Sequence, residues 1–525
     1  MTKARENSSA RGFGLLARIL ARKTVEQIQA EHAEGHLKRS LGPVNLVLLG
    51  IGCIIGTGIF VLTGRAAAQW AGPGIMISFV ITGTLCAFVA LCYAELAAAL
   101  PVSGSAYSYS YASMGELAAW VMGLLLLLEY GLAASTVAVG WSGYLVSLLH
   151  NMQIDIPPEL AAAPGIIVHD SVTGAAVAGI VNLPAMLSIC AVTALLVVGV
   201  SESATVNNII VFIKLAVVIA FICIGAAYVD PANWSPLIPP QTPAPPPGTD
   251  TSLLSSIGRA LWDVVTAQST SRYGITGIIQ AAAVIFFAYL GFEAVSTAGA
   301  ESRNPARDLP IGILLPLVIC TALYIMTSAV LVGIVPYASL DNPAPLATAA
   351  DAIGLPWFAI AVKVGAIAGL SSVMLVLLYG QTRIFYSMSR DGLLPKALAH
   401  VHPRFKTPWL NTIIVGVAVA VAAGFLSIDV LSNVTNVGSL AAFAIICATV
   451  IYLRFAQPKL HRPFRTPLFP VTPILGLVMC LILLMSLMAD PATRDFFLIY
   501  TSVGFVGYFC YGFWRSKAGA ELRAK

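Results

Sequence analysis

Apolar runs long enough for a helix to cross a bilayer follow one another along nearly the whole chain, and they decide the solvent in which it folds. The stretch from Gly74 to Leu100 carries a single charge, Glu95, and comparable stretches recur to the C-terminus. Only 10% of the 525 residues are charged and 58% are hydrophobic, against about 25% charged in soluble domains. Lipid leaves no backbone group to water, so each run is expected as a helix, and no stretch remains for a sizeable soluble domain. Proline, glycine and charge divide the runs into twelve: 44–68, 74–100, 117–149, 183–199, 207–229, 274–298, 311–335, 357–388, 412–426, 439–452, 472–488 and 496–513.

Basic residues set the orientation, because Lys and Arg gather on the cytoplasmic side. With the N-terminus inside, the inner segments hold 22 of them and the outer segments four, Arg65, Arg259, Arg272 and Arg494. Both termini are therefore expected in the cytoplasm. The N-terminal tail, with Lys3, Arg5 and Arg11 among its charges, lacks the apolar core of a signal peptide. It reads as a solvated tail, or as an amphipathic helix near Leu15 to Ile28 lying on anionic lipid. The outer segment from Asp230 to Arg272 contains PLIPPQTPAPPPG, which suits an extended, solvated spacer or flap.

All nine cysteines fall inside apolar runs without CxxC spacing, and the seven histidines lie in tails, loops or run ends. That pattern speaks against disulfides, zinc and a histidine metal cage. Nor do acids or metal ligands cluster at one membrane face as an enzyme would require.

The first run contains GIGCIIGTGIF, with Gly50, Gly52, Gly56 and Gly58 near the bilayer midplane. Each glycine weakens a helix by roughly 1 kcal/mol relative to alanine. Either the helix breaks there, or Gly52 and Gly56 serve as a GxxxG packing pair. A broken helix frees N–H groups on one half and carbonyls on the other, tolerable in lipid only where they line a cavity or meet a ligand. The sixth run, FFAYLGFEAVST, places Gly291 and Glu293 mid-chain beside Phe287, Tyr289 and Phe292. The second segment stands five runs after the first, and an inverted repeat would bring both breaks together at the midplane, as in a transporter site.

Charges inside runs cost about 2.5 to 3.5 kcal/mol on insertion scales and ask for a reason. Lys214 sits deep in the fifth run, where burial would make its protonation reversible near neutral pH; it is the candidate proton-coupling group. The alternative is a lysine neutralised by a permanent partner. Glu129 in the third run can answer a substrate ammonium or pair with a lysine. Glu95, Lys363 and Arg383 lie nearer run ends, where snorkelling or structural pairing is expected. Glu293 would begin the second half of the sixth helix, where a negative charge suits a helix N-terminus.

The strings GIGCIIGTGIFVLTG, CYAELAAALPVSGSAYSYSY, SESATVNNIIVFIK, FFAYLGFEAVST and YGQTRIFYSMSRDGLLP occur in order from Gly50 to Pro395. Together they resemble the amino acid, polyamine and organocation transporter superfamily, most closely its cationic amino acid transporters. The resemblance implies the all-α leucine-transporter fold with discontinuous helices one and six. It divides the chain into a cytoplasmic tail (1–43), a ten-helix core (44–455) with inverted repeats 44–229 and 274–455, two peripheral helices (456–514) and a C-terminal tail (515–525).

It also implies proton-coupled uptake; the modest loops, for their part, suggest the plasma membrane of a bacterium, its inner membrane. Backbone N–H groups around Gly56, Thr57 and Gly58 would take the substrate carboxylate. Carbonyls near Ile54, Phe287, Ala288 and Leu290 would take its ammonium. Lys214 stands where sodium-coupled relatives hold a cation, and Glu129 matches a family acid. Phe287 would gate the site, with Ser371 or Met374 at the side-chain end. With no second acid visible beside the pocket, small neutral L-amino acids are favoured and cationic ones kept open. Expected partners are the amino acid and the bilayer, with no nucleic acid and no cofactor beyond the proton; a small membrane subunit is not readable. The competing readings are an obligate exchanger, which would need internal counter-substrate, and a receptor that binds without accumulating.

Overall fold

The computed structural model describes residues 21–22, 41–102, 104–169, 175–199, 204–243, 256, 259–261, 272–517 and 519–520. The expected amphipathic stretch from Leu15 to Ile28 lies outside them except for Ala21 and Arg22, and so does the PPPG end of the outer proline segment. Among the described residues the structure is helical apart from a short antiparallel ribbon, Ile167–His169 with Ala176–Ala178. A helix stands at each of the twelve expected stretches. Nine described stretches are long and apolar enough to cross a bilayer, and Leu183–Val198 and Trp409–Phe425 are shorter apolar helices.

Local chemistry fixes the helix ends. Asn182, Ser427 and Asp490 cap helices by accepting from Ala185, Val430 and Thr493 N–H groups, and Gly199 ends Leu183–Val198 at φ 86°. The tenth helix, Ile428–Ala456, starts eleven residues before the expected Ser439. Ser432, Thr435 and Asn436 ended the apolar pattern in the sequence, yet they are buried and face other helices rather than water. A helix not anticipated in the loop after the second span, Ser105–Ser113, is buried with Tyr107 Oη donating to Asp391 at 2.7 Å.

Small residues let the helices touch, as expected where lipid supplies no hydrophobic drive for association. A Cβ on Gly50 would meet Pro316 of the seventh span at 2.7 Å, and one on Gly123 would meet Met388 of the eighth at 2.6 Å. Charges near helix ends are paired. Glu95 is 2% exposed and receives a bidentate grip from Arg454, at 2.9 and 2.7 Å, with Thr466 N–H at 2.7 Å. Lys363 binds Asp351 at 2.8 Å, and Arg383 lies over the Tyr379 ring. These are the structural pairings that the sequence suggests.

The described part of the outer proline segment is mostly exposed and irregular, as expected, with Pro236, Leu237, Ile238, Pro240 and Pro243 all exposed. It is anchored at two places: Trp234 donates to Ala329 O at 3.0 Å and Asn233 to Gly333 O at 2.9 Å, both on the seventh helix, and buried Pro239 fills the space above Gly72. The Trp234 indole and the Pro239 ring supply packing surface that a composition rule for proline-rich segments does not register.

Candidate substrate site at two helix breaks

The first span is two helices. Pro43–Ile54 ends at Ile55, extended at φ −72°, ψ 97°, and the chain resumes through Thr57 into a wide π turn, Gly58–Leu62. Gly58 is dictated by its neighbour, because an added Cβ would overlap the Ala288 backbone of the sixth span. The π turn leaves a carbonyl without its usual partner. Tyr144 Oη of the third span donates to Phe60 O, within that turn, at 2.6 Å.

The sixth span breaks in the same place. Helix Gly274–Ile285 tightens into a 3₁₀ turn, Phe286–Tyr289, and the chain turns at Gly291, whose φ of 112° excludes other residues without strain. A 3₁₀ segment, Glu293–Glu301, follows. Gly291 lies against Cys53 as Gly58 lies against Ala288, so the two interruptions abut. Gly52 and Gly56 therefore belong to a broken helix. A Cβ on Gly56 would meet Val373 of the eighth span at 3.4 Å.

Loosened carbonyls in a buried setting need donors from elsewhere. Tyr324 Oη of the seventh span lies 2.8 Å from Ile54 O and 2.9 Å from Ala288 O, bridging both breaks. Asn436 Nδ2 donates to Ala283 O at 2.9 Å and Val284 O at 3.0 Å, where the first half of the sixth span ends. Leu290 N–H donates to Phe287 O at 3.2 Å. Lys214, fully buried, donates from Nζ to Gly52 O at 2.8 Å, on the last turn of the inner half of the first span. Tyr324 and Asn436 escaped the sequence reading. Their only signal was polarity inside an apolar stretch, which many packing residues share.

Glu129 occupies a π turn, Leu128–Leu132, that widens the third helix. It is 1% exposed, and among the described residues neither carboxyl oxygen has a hydrogen-bond partner. It faces Glu293 and Ser439. Glu293, 2% exposed, accepts from Gly291 N–H at 2.8 Å through Oε2, with Tyr130 Oη 3.5 Å from Oε1. The sequence showed no second acid near the pocket; the structure sets Glu293 against Glu129. Thr57 Oγ1, on the first break, is also buried without a partner. Phe287, in the 3₁₀ turn of the sixth span, is 6% exposed.

Ser371 and Met374 line a different space, an apolar cavity of about 640 Å³ bounded by Trp141, Leu183 and Leu187. Trp141 Nε1 donates to Ser371 at 2.9 Å, and Ser188 Oγ lies 3.7 Å from Met374 Sδ. Among the described residues no group of three or more His, Cys, Asp or Glu could hold a metal ion.

The profile of the amino acid permeases matches residues 41–509. The chain belongs to that family, within the amino acid, polyamine and organocation superfamily. A methylthioribose transporter of Bacillus subtilis is 43% identical over 94% of this chain and 98% of its own length. A branched-chain amino acid permease of the same organism is 43% identical over 95% and 98%. A vacuolar cationic amino acid transporter of Arabidopsis thaliana is 34% identical over 84% and 68%. This permease is thus a multi-pass membrane transporter of the amino acid permease type and not an enzyme.

Proposed function

We propose that this permease is a secondary active transporter that takes up a neutral aliphatic L-amino acid with a proton, by alternating access through a leucine-transporter-like fold. Twelve crossings, with 44–229 and 274–455 as inverted repeats, would place both termini in the cytoplasm of a bacterial cell. One observation carries the reading: two broken helices abut at Gly58 on Ala288 and at Gly291 on Cys53. Half-helix ends of this kind present N–H groups to an anion and carbonyls to a cation.

On this reading Gly56, Thr57 and Gly58 receive the substrate carboxylate. Ile54, Phe287, Ala288 and Leu290, with Glu129, receive its ammonium, and the unpartnered Thr57 hydroxyl supports a polar ligand there. Lys214 is the coupling group. Protonated, it holds Gly52 O by a charge-assisted hydrogen bond; neutral, its amine holds it more weakly and loosens the inner half-helix. An ammonium at that place also leaves little room for sodium.

The test is uptake into proteoliposomes under an imposed proton gradient. The wild type should accumulate leucine or alanine without internal substrate. Lys214→Ala should lose proton dependence and most uptake while still inserting. Normal pH-dependent transport by that variant refutes the coupling role, and a strict need for internal amino acid favours exchange. A second reading follows from the 43% identical relative named for methylthioribose: the pocket would take a neutral thio-sugar lacking both zwitterion charges. Thermal-shift screening against the twenty amino acids and methylthioribose separates the two.

A further inference from the structure

Two carboxyl groups meet inside the membrane-spanning core, and the hydrogen bonds around them are lopsided. Glu293 has donors, since Gly291 N–H reaches Oε2 at 2.8 Å and Tyr130 Oη stands 3.5 Å from Oε1. Glu129 has none among the described residues: both of its oxygens are buried and unpartnered. Ser439, which also faces Glu129, donates its hydroxyl to Thr435 O at 3.1 Å.

The other titratable groups around the pair are Tyr93 and Cys86 from the second span and Tyr130 beside Glu129, with Cys53 of the first span next to Tyr130. All are neutral acids weaker than a carboxylic acid. Among the described residues neither glutamate has a Lys or Arg within ion-pair distance; Lys214 reaches Gly52 O instead.

Two buried anions side by side without a countercharge are strongly disfavoured, as are two bare oxygens of a buried anion. A carboxyl group becomes a donor only when protonated. One proton resolves both difficulties. We propose that Glu129 is held as a neutral acid whose hydroxyl donates to the Glu293 carboxylate, so that the two residues carry one proton and one negative charge between them. The partners place the proton: Glu293 accepts from Gly291 N–H, whereas the Ser439 hydroxyl that faces Glu129 donates to Thr435 O.

The pair then has a use at the site proposed above, on which this consequence rests. Glu129 keeps its carbonyl oxygen free for a substrate ammonium, and the single net negative charge balances it. The pair is also a proton store distinct from Lys214, built into the two spans whose relative movement would open the site.

Infrared difference spectroscopy of the purified full-length protein, titrated between neutral and alkaline pH, reads this directly. The wild type should show a protonated carboxylic acid band at neutral pH that shifts in heavy water and disappears on the alkaline side. Glu129→Gln should lose that band, because the amide N–H replaces the shared proton and Glu293 stays ionised. Glu293→Gln should keep the band at a shifted frequency, because the acceptor becomes an amide; this variant serves if the first does not purify. Absence of the band in the wild type, or a band unchanged in either variant, overturns the proposal. The spectrum does not depend on transport, so a permease that proves to be uncoupled from protons would still show the band.

Discussion

Replacing Gly58 by alanine tests whether the contact between the two breaks forms the substrate site. The added methyl group would overlap the Cα and Cβ of Ala288 and sit 2.8 Å from its nitrogen, whereas carbon contacts relax at about 3.5 Å or more. The atoms it meets include backbone, so no rotamer relieves it, and the half-helices must part by about 1 Å. Overpacking of this kind costs about 1–3 kcal/mol. Against a typical stability of about 5–15 kcal/mol the protein still folds. If the closed contact is what binds substrate, that cost weakens affinity by roughly 5- to 150-fold. Calorimetric titration of the purified variant with leucine measures it. Gly42→Ala, where an added Cβ meets nothing within 4 Å, is the control and should bind as the wild type does. A Gly58→Ala protein with unchanged affinity would show that the breaks can separate without consequence, and the assignment of the site would fall.

Two further substitutions probe the supports of the site. Tyr324→Phe removes the hydroxyl between Ile54 O and Ala288 O, and should cost about 1–3 kcal/mol in stability, with a lower melting temperature. Added leucine should recover more of that loss than it adds to the wild type, because its ammonium can bond the same carbonyls; equal ligand shifts in both proteins would refute this. Glu95→Gln breaks the bidentate ion pair with Arg454 and should destabilise by roughly 3–5 kcal/mol, since it strands a partly buried charge. Urea or thermal unfolding within error of the wild type would mean that the pair is merely tolerated.

The residues alone disclosed the solvent. Apolar runs of bilayer length follow from transfer energies that act on each segment separately, whatever the other segments do. The glycines of GIGCIIGTGIF and the Gly291–Glu293 interruption were visible for the same reason, because helix propensity and the cost of a membrane charge are local quantities. Which group relieves each broken end is not local. Tyr324 lies 270 positions from Ile54, and Asn436 lies 153 from Ala283. Any polar residue in an apolar run could have been a donor to those carbonyls. Only the packing of distant helices brings these two within 3 Å of them, turns Ser432 and Thr435 inward, docks Trp234 on the seventh helix and sets Glu129 against Glu293. Lipid obliges every exposed carbonyl and every buried charge to find a partner, and the tertiary structure alone decides which partner can reach.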